Sequence, residues 1–178
     1  FYYPTLNGSQ IELRSAEVTT VIAVIFETIL GEGGIVPLPD GALRYLADNH
    51  RSLAIPYIVD EIQTGCGRTG TFYGYEQTPL SAISPEYVLL SKALGGGLVK
   101  IGAALIRKDI YDHDFGILHT STFGEDDLSA TVASRFLDLL FEDHSRMLRD
   151  ITFQGARLKQ RLQQLQQFVA VAGLRDHL

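Results

Sequence analysis

Residues Ile55 to Gly70 read IPYIVDEIQTGCGRTG, an apolar run that stops on Asp60 and then breaks into glycine-punctuated chain. The run is short, partly β-branched and bounded by a turn-rich stretch, so LAIPYIVD reads as a strand whose carboxyl end opens into a loop. Working upstream, ALRYLADNHR carries Leu43, Leu46 and Ala47 at helical spacing, with Asp40 as its expected N-cap. A loop, GEGGIVPLPDG, precedes it. Before that, TTVIAVIFETI (Thr19–Ile29) is β-branched and almost uninterrupted, as expected of a strand buried on both faces of a parallel sheet. Strand, helix and strand in this order make a right-handed parallel crossover the default connection. Downstream, EYVLLS reads as a third strand and IGAALIR as a fourth. Helical periodicity then runs from Asp126 to Asp143, through Leu128, Val132, Phe136, Leu139 and Leu140, and again from Arg146 to about Phe168. The fold class is α/β, with a mostly parallel sheet flanked by helices.

The chain has 178 residues, 46% of them hydrophobic and 20% charged, which describes an ordinary globular protein with room for one sizeable core. A net charge of −6 argues against non-specific nucleic-acid binding. Cys66, the single cysteine, has no internal partner and fits a reducing compartment. No apolar run reaches the roughly 18 residues of a membrane span, so the expected address is the cytoplasm, away from any membrane. His50, His113, His119, His144 and His177 show no metal-ligand spacing with Cys66, so no metal site is expected. The opening FYYPTLNGSQ is aromatic and turn-like, and the closing FVAVAGLRDHL reads as a strand just begun. Both suggest a fragment of a larger protein.

Ligands of open α/β sheets sit at the carboxyl ends of the strands. Glu27, Asp60 and Lys92 fall at three successive ends, Lys92 within YVLLSKALGGG (Tyr87–Gly97). Each also has a plain reading: a solvated exit residue, a turn cap and a solvated lysine. Two chemistries use such an arrangement. IPYIVDE resembles the magnesium-binding strand of a nucleotide hydrolase, but that chemistry needs a phosphate cradle of the form GxxxxGK[ST], and none of Lys92, Lys100, Lys108 or Lys159 follows one. The other is Schiff-base chemistry on pyridoxal phosphate. That needs an amine in a preorganised pocket, which Lys92 suits, and a carboxylate opposite the ring nitrogen, which Asp60 suits. Ala93 and Gly95–Gly97 would let the backbone approach a flat ring.

Four stretches in order, FETILGEGGIVPLPDGALRYL, IVDEIQTGCGRTGTFYGYEQ, LLSKALGGGLVKIGAAL and STFGEDDLS, resemble the class III, or omega-amino-acid, aminotransferases. These are pyridoxal-phosphate enzymes of fold type I, and the resemblance runs from about Val21 to Leu140. It implies that Asp60 partners the pyridine nitrogen, Ile62 packs on the ring and Gln63 bonds its phenolic oxygen. Lys92 would form the Schiff base and shuttle the substrate proton. Thr122 would reach across a homodimer interface to the partner's cofactor phosphate, and Glu27 would lie near the substrate pocket. The implied reaction moves an amino group from an amine or amino acid to a keto acid or aldehyde; a mutase, decarboxylase or racemase could use the same residues. Residues 1–165 would be the central part of the cofactor-binding large domain and 166–178 the start of a small C-terminal domain. The alternative is an incomplete or degenerate fragment with a structural or interaction role.

The chain departs from the family in reading Glu27-Thr28 where Glu-Pro is usual, and Gly124-Glu125-Asp126-Asp127 where Gly-Gly-Asn-Pro is common. It also has Val99-Lys100 at a usual proline. The acidic group is expected to turn outward and cap the helix that follows.

Overall fold

The computed structural model of the chain describes residues 2–7, 10–15, 21–119, 121, 122 and 124–171. In chain order, β1 (Tyr2–Asn7) and β2 (Gln10–Ser15) make an antiparallel hairpin where the sequence reads as a turn-like opening. β3 (Val24–Phe26) enters the main sheet, and β4 (Ile29–Leu30) and β5 (Val36–Pro37) form a second small hairpin. Helix α1 (Asp40–Leu53) leads to β6 (Tyr57–Asp60), and two 3₁₀ turns, Gly74–Gln77 and Pro79–Ala82, lead to β7 (Tyr87–Leu90). β8 (Ala103–Ile106) completes a four-stranded sheet in the order β3-β6-β7-β8. Its first three strands are parallel, and β8 runs antiparallel to β7. A loop of a dozen residues is enough to reverse direction, whereas a parallel return would need a longer crossover.

The apolar run at Thr19–Ile29 does not make one strand buried on both faces. Residues 19 and 20 lie outside the described residues, and the paired strand is confined to Val24–Phe26. β3 is an edge of the sheet, so Ile22 and Ile25 remain 83% and 62% exposed. The run divides at Thr28, whose carbonyl accepts a hydrogen bond from the Leu38 amide (3.0 Å) and turns the chain into β4. The central strand does behave as a buried one, with Tyr57 and Val59 fully enclosed.

Helix α1 starts one residue earlier than Asp40 predicts. The Pro39 carbonyl accepts from the Ala42 and Leu43 amides, which makes Pro39 the N-cap, and no side chain caps the helix. Asp40 lies in the first turn, where a carboxylate still favours the positive end of the helix. Ala42 and Leu43 are buried, and Leu43 packs with Leu38 and Leu80. The Tyr57 hydroxyl donates to the Leu46 carbonyl (3.1 Å), tying α1 to the centre of the sheet. A short helix, α2 (His113–Leu118), precedes the long α3 (Asp127–Val171). α3 is two limbs, 127–141 and 146–171, separated by non-helical residues Glu142–Ser145, as the two sequence periodicities anticipate. The Ser129 amide donates to Asp126 Oδ2 (2.8 Å), so the acidic stretch does cap the helix. No helix among the described residues is long and apolar enough to cross a membrane.

Two carboxylates organise the sheet from opposite ends. At the amino ends of the strands, Glu86 accepts from the Tyr57 amide (2.8 Å), from His50 (3.0 Å) and from Arg107 (2.6 Å), joining α1, β6, β7 and β8. At the carboxyl ends, Glu61 is 1% exposed and accepts from Thr64 Oγ1 (2.6 Å), the Gly74 amide (2.8 Å) and the Tyr75 amide (2.9 Å). Burial works to raise the Glu86 pKa, but the Tyr57 amide and His50 outweigh it and hold the carboxyl below its ordinary value of 4.5.

Because the folded-state value is the lower one, the Glu86 contribution is present above pH 4.5 and is lost as pH falls through the folded value. Glu86→Ala is expected to destabilise the chain by about 1–3 kcal/mol at neutral pH, and by progressively less below that range, in urea unfolding followed by circular dichroism. Glu61→Ala leaves the buried Gly74 amide and the half-buried Tyr75 amide without an acceptor and is expected to cost about 2–4 kcal/mol, with Glu61→Gln recovering part of the loss in the same assay.

Candidate active site

Three chain exits lie side by side because the parallel strands end nearly level. Phe26 pairs with Val59, and Asp60 pairs with Leu89. Glu27 therefore leaves β3 beside Asp60 at the end of β6, and Lys92 follows β7 by two residues.

Asp60 is half-buried. Its Oδ1 accepts from the Ile62 amide (3.0 Å), which folds the chain back directly after the strand. Its Oδ2 makes no hydrogen bond among the described residues and is free to serve a ligand. Ile62 and Gln63, both half-buried, occupy that turn. Gln63 Oε1 accepts from Lys92 Nζ at 2.8 Å, the contact that closes the site between β6 and β7.

Lys92 is exposed and sits in the left-handed region, with φ +40°. Its neighbours hold it there. The Ser91 hydroxyl donates to the Ile101 carbonyl (2.6 Å), and the Leu94 amide donates to the Ser91 carbonyl (2.9 Å). Gly96 and Gly97 then take φ of 60° and 77°, a double left-handed turn that side chains would resist. Beneath the turn, Leu94 is buried with Cys66, Val88, Leu90 and Ala133.

Glu27 is not simply solvated: its Oε2 accepts from the Gly31 amide (3.1 Å). Glu27 and Asp60 also border an apolar cleft of about 400 Å³ between β3 and α1, walled by Val24, Phe26, Leu38 and Tyr45. Thr122 is exposed in the turn ahead of α3, and no hydrogen bond among the described residues joins it to the other candidates. The structure thus gathers Glu27, Asp60, Ile62, Gln63 and Lys92.

Sequence reasoning passes over Glu61, whose buried carboxylate fixes the loop behind Asp60. The available signal was an acid directly after Asp60, still inside the apolar stretch. Cys66 is not a competing nucleophile. Burial first, and the Glu61 carboxylate second, push its thiol up from its ordinary value, which keeps it protonated. No group of three or more His, Cys, Asp or Glu among the described residues is arranged to hold a metal ion.

An amine held by an amide oxygen, with a carboxylate oxygen left open on the neighbouring strand, is a donor set suited to a planar cofactor that carries an aldehyde and a basic ring nitrogen. Known proteins agree. The family model described as aminotransferase class-III matches residues 8–176. A diaminobutyrate–2-oxoglutarate aminotransferase of Rhizobium meliloti (strain 1021) is 37% identical over 143 residues, covering 80% of this chain and 29% of that protein. Among solved structures, an (S)-enantioselective omega-transaminase from Thermomicrobium roseum is 30% identical with a TM-score of 0.65, over 82% of this chain and 32% of that one. An ornithine aminotransferase from Plasmodium yoelii is 32% identical with a TM-score of 0.58, over 68% and 32%. The chain spans about a third or less of the length of each. The level strand ends, the Lys92–Gln63 contact and these matches lead to one conclusion: the chain belongs to the class-III aminotransferase family, in the α/β fold of the type I pyridoxal-phosphate enzymes.

Proposed function

We propose that the chain is the central part of a pyridoxal-phosphate-dependent aminotransferase that moves an amino group from an amine or amino acid to a keto acid or aldehyde. The observation that carries this reading is the hydrogen bond from Lys92 Nζ to Gln63 Oε1 beside Asp60, at the carboxyl ends of parallel strands. On this reading residues 1–165 belong to the large domain and 166–178 begin the small one. The complete enzyme is a cytoplasmic homodimer, with Thr122 serving the partner's cofactor phosphate.

When bound, pyridoxal phosphate supplies an electron sink for the pair released at the substrate α-carbon. The open oxygen of Asp60 would favour a protonated ring nitrogen, and Asp60 keeps its orientation because the Ile62 amide occupies its other oxygen. Ile62 gives the ring an apolar face. Gln63 offers its carboxamide both to Lys92 and to the phenolic oxygen. Lys92 Nζ would hold the cofactor and move the α-proton, a role that needs an amine free to change partners. Its hydrogen bond to a neutral amide, rather than a salt bridge to a carboxylate, leaves that freedom.

The exposure of Lys92 favours a second reading, a family fragment with a structural role and no catalysis. One experiment separates the two. The chain is incubated with pyridoxal phosphate, reduced with borohydride and mapped by mass spectrometry. A saturable label on Lys92 is expected, absent in Lys92→Ala, with half-saturation raised about tenfold in Asp60→Asn by loss of one charged hydrogen bond. Labelling of Lys92 no faster than that of Lys100, Lys108 and Lys159 would favour the structural role.

A further inference from the structure

We propose that Gly31 is a positioning residue for Lys92: the space left by its missing side chain seats the Gln63 carboxamide, and Glu27 holds that seat in place. A Cβ built on Gly31 would lie 2.4 Å from Gln63 Oε1, 2.9 Å from Cδ and 3.1 Å from Nε2. These are its three nearest neighbours, and all belong to one carboxamide. The backbone of Gly31 lies outside the left-handed region, unlike Gly34 with φ +99°, so conformational freedom is not what demands glycine here. Space is.

The carboxamide oxygen that Gly31 admits is the same atom that accepts from Lys92 Nζ. A methyl group at residue 31 would meet the far end of a flexible side chain, so the fold would tolerate it while Gln63 swung away. The consequence falls on Lys92. Glu27 completes the arrangement. Its Oε2 accepts from the Gly31 amide (3.1 Å), and the Gly34 and Ile35 amides donate to the Gly31 carbonyl (3.2 and 3.3 Å). The seat is thereby pinned through the two peptide units that flank one Cα. Glu27 acts here as a hydrogen-bond acceptor for the backbone, and its charge is not what matters.

The functional meaning rests on the reading of Lys92 as the cofactor amine, but the test does not. Trace acetylation of the full chain with acetic anhydride at fixed pH, without cofactor, reports the reactivity of Lys92 against Lys108 and Lys159 in the same digest. Releasing Lys92 Nζ from Gln63 frees the amine, so Gln63→Ala is expected to raise relative Lys92 labelling about threefold, the size of one exposed hydrogen bond. Gly31→Ala is expected to reproduce that rise with an unchanged thermal midpoint, and the double variant should add nothing. Glu27→Ala should move in the same direction, while Glu27→Gln, which keeps an acceptor oxygen, should label as wild type.

Wild-type labelling in Gly31→Ala would overturn the proposal, as would a Glu27→Gln that behaves like Glu27→Ala. If Gly31→Ala unfolds, the Glu27 pair still decides. Absence of a borohydride-trapped cofactor on wild-type Lys92 would instead sink the aminotransferase reading and leave this geometry standing.

Discussion

Strand β6 hydrogen-bonds β3 on one side and β7 on the other, and its register determines where each neighbour must release the chain. A slip of one residue would turn Tyr57 and Val59 out of the core, so the pairing is fixed by burial rather than by the site. The cost of exposing two fully buried side chains, about 1.5–3 kcal/mol each, exceeds anything the exposed Lys92–Gln63 contact could return. The chemistry is therefore a passenger on the packing. Once Val59 sits between Phe26 and Val88, the residues that follow these strands must meet, whatever they are.

The adjacent carboxylates Asp60 and Glu61 show how pleating divides labour. Successive residues of an extended chain face opposite ways. Asp60 has one oxygen tied to the Ile62 amide and leaves the other open. Glu61 turns inward, continues the ladder through its amide to the Leu89 carbonyl (3.0 Å), and satisfies both its oxygens within the protein. A carboxylate with three donors has nothing left to give a substrate, and it makes the loop behind Asp60 rigid. The pair thus couples one oxygen available for chemistry to a fully committed neighbour that holds it still.

Much of this was legible in the residues. Period and composition located α1, β6, β7, β8 and both limbs of α3; α1, β6, β7 and the first limb of α3 bury the apolar face that the pattern advertises, whereas the second limb leaves Phe153, Leu158, Leu162 and Leu165 exposed. The sheet's third parallel partner was visible as an apolar run, but not its short extent, because periodicity cannot tell a sheet edge from a sheet centre. Asp40 failed as a cap for a local reason: Pro39 already presents the carbonyl that starts the helix. Candidates at strand ends were recognisable because position after an apolar run is itself a signal. Glu61 and Gly31 were not, since one acts by accepting from a turn thirteen residues away and the other by lacking a side chain. Contacts of that kind exist only after folding.

The left-handed backbone of Lys92 depends on packing beyond the strand ends. A non-glycine residue there carries a cost of about 1–2 kcal/mol and persists only where its surroundings over-determine it. Ser91 is fastened to Ile101, and Leu94 is fastened by its amide to Ser91 and by its side chain to a core shared with Ala133 of α3. Burying Leu94 is worth about 2 kcal/mol, enough to offset the strain two residues before it. The first limb of α3, through Ala133 and Phe136 beneath the glycine turn, is thus part of what aims the lysine. The amine is delivered to Gln63 by core packing on one side and by the bare Cα of Gly31 on the other. Neither contact involves a charged group, and this allows Lys92 to exchange one partner for another without breaking an ion pair.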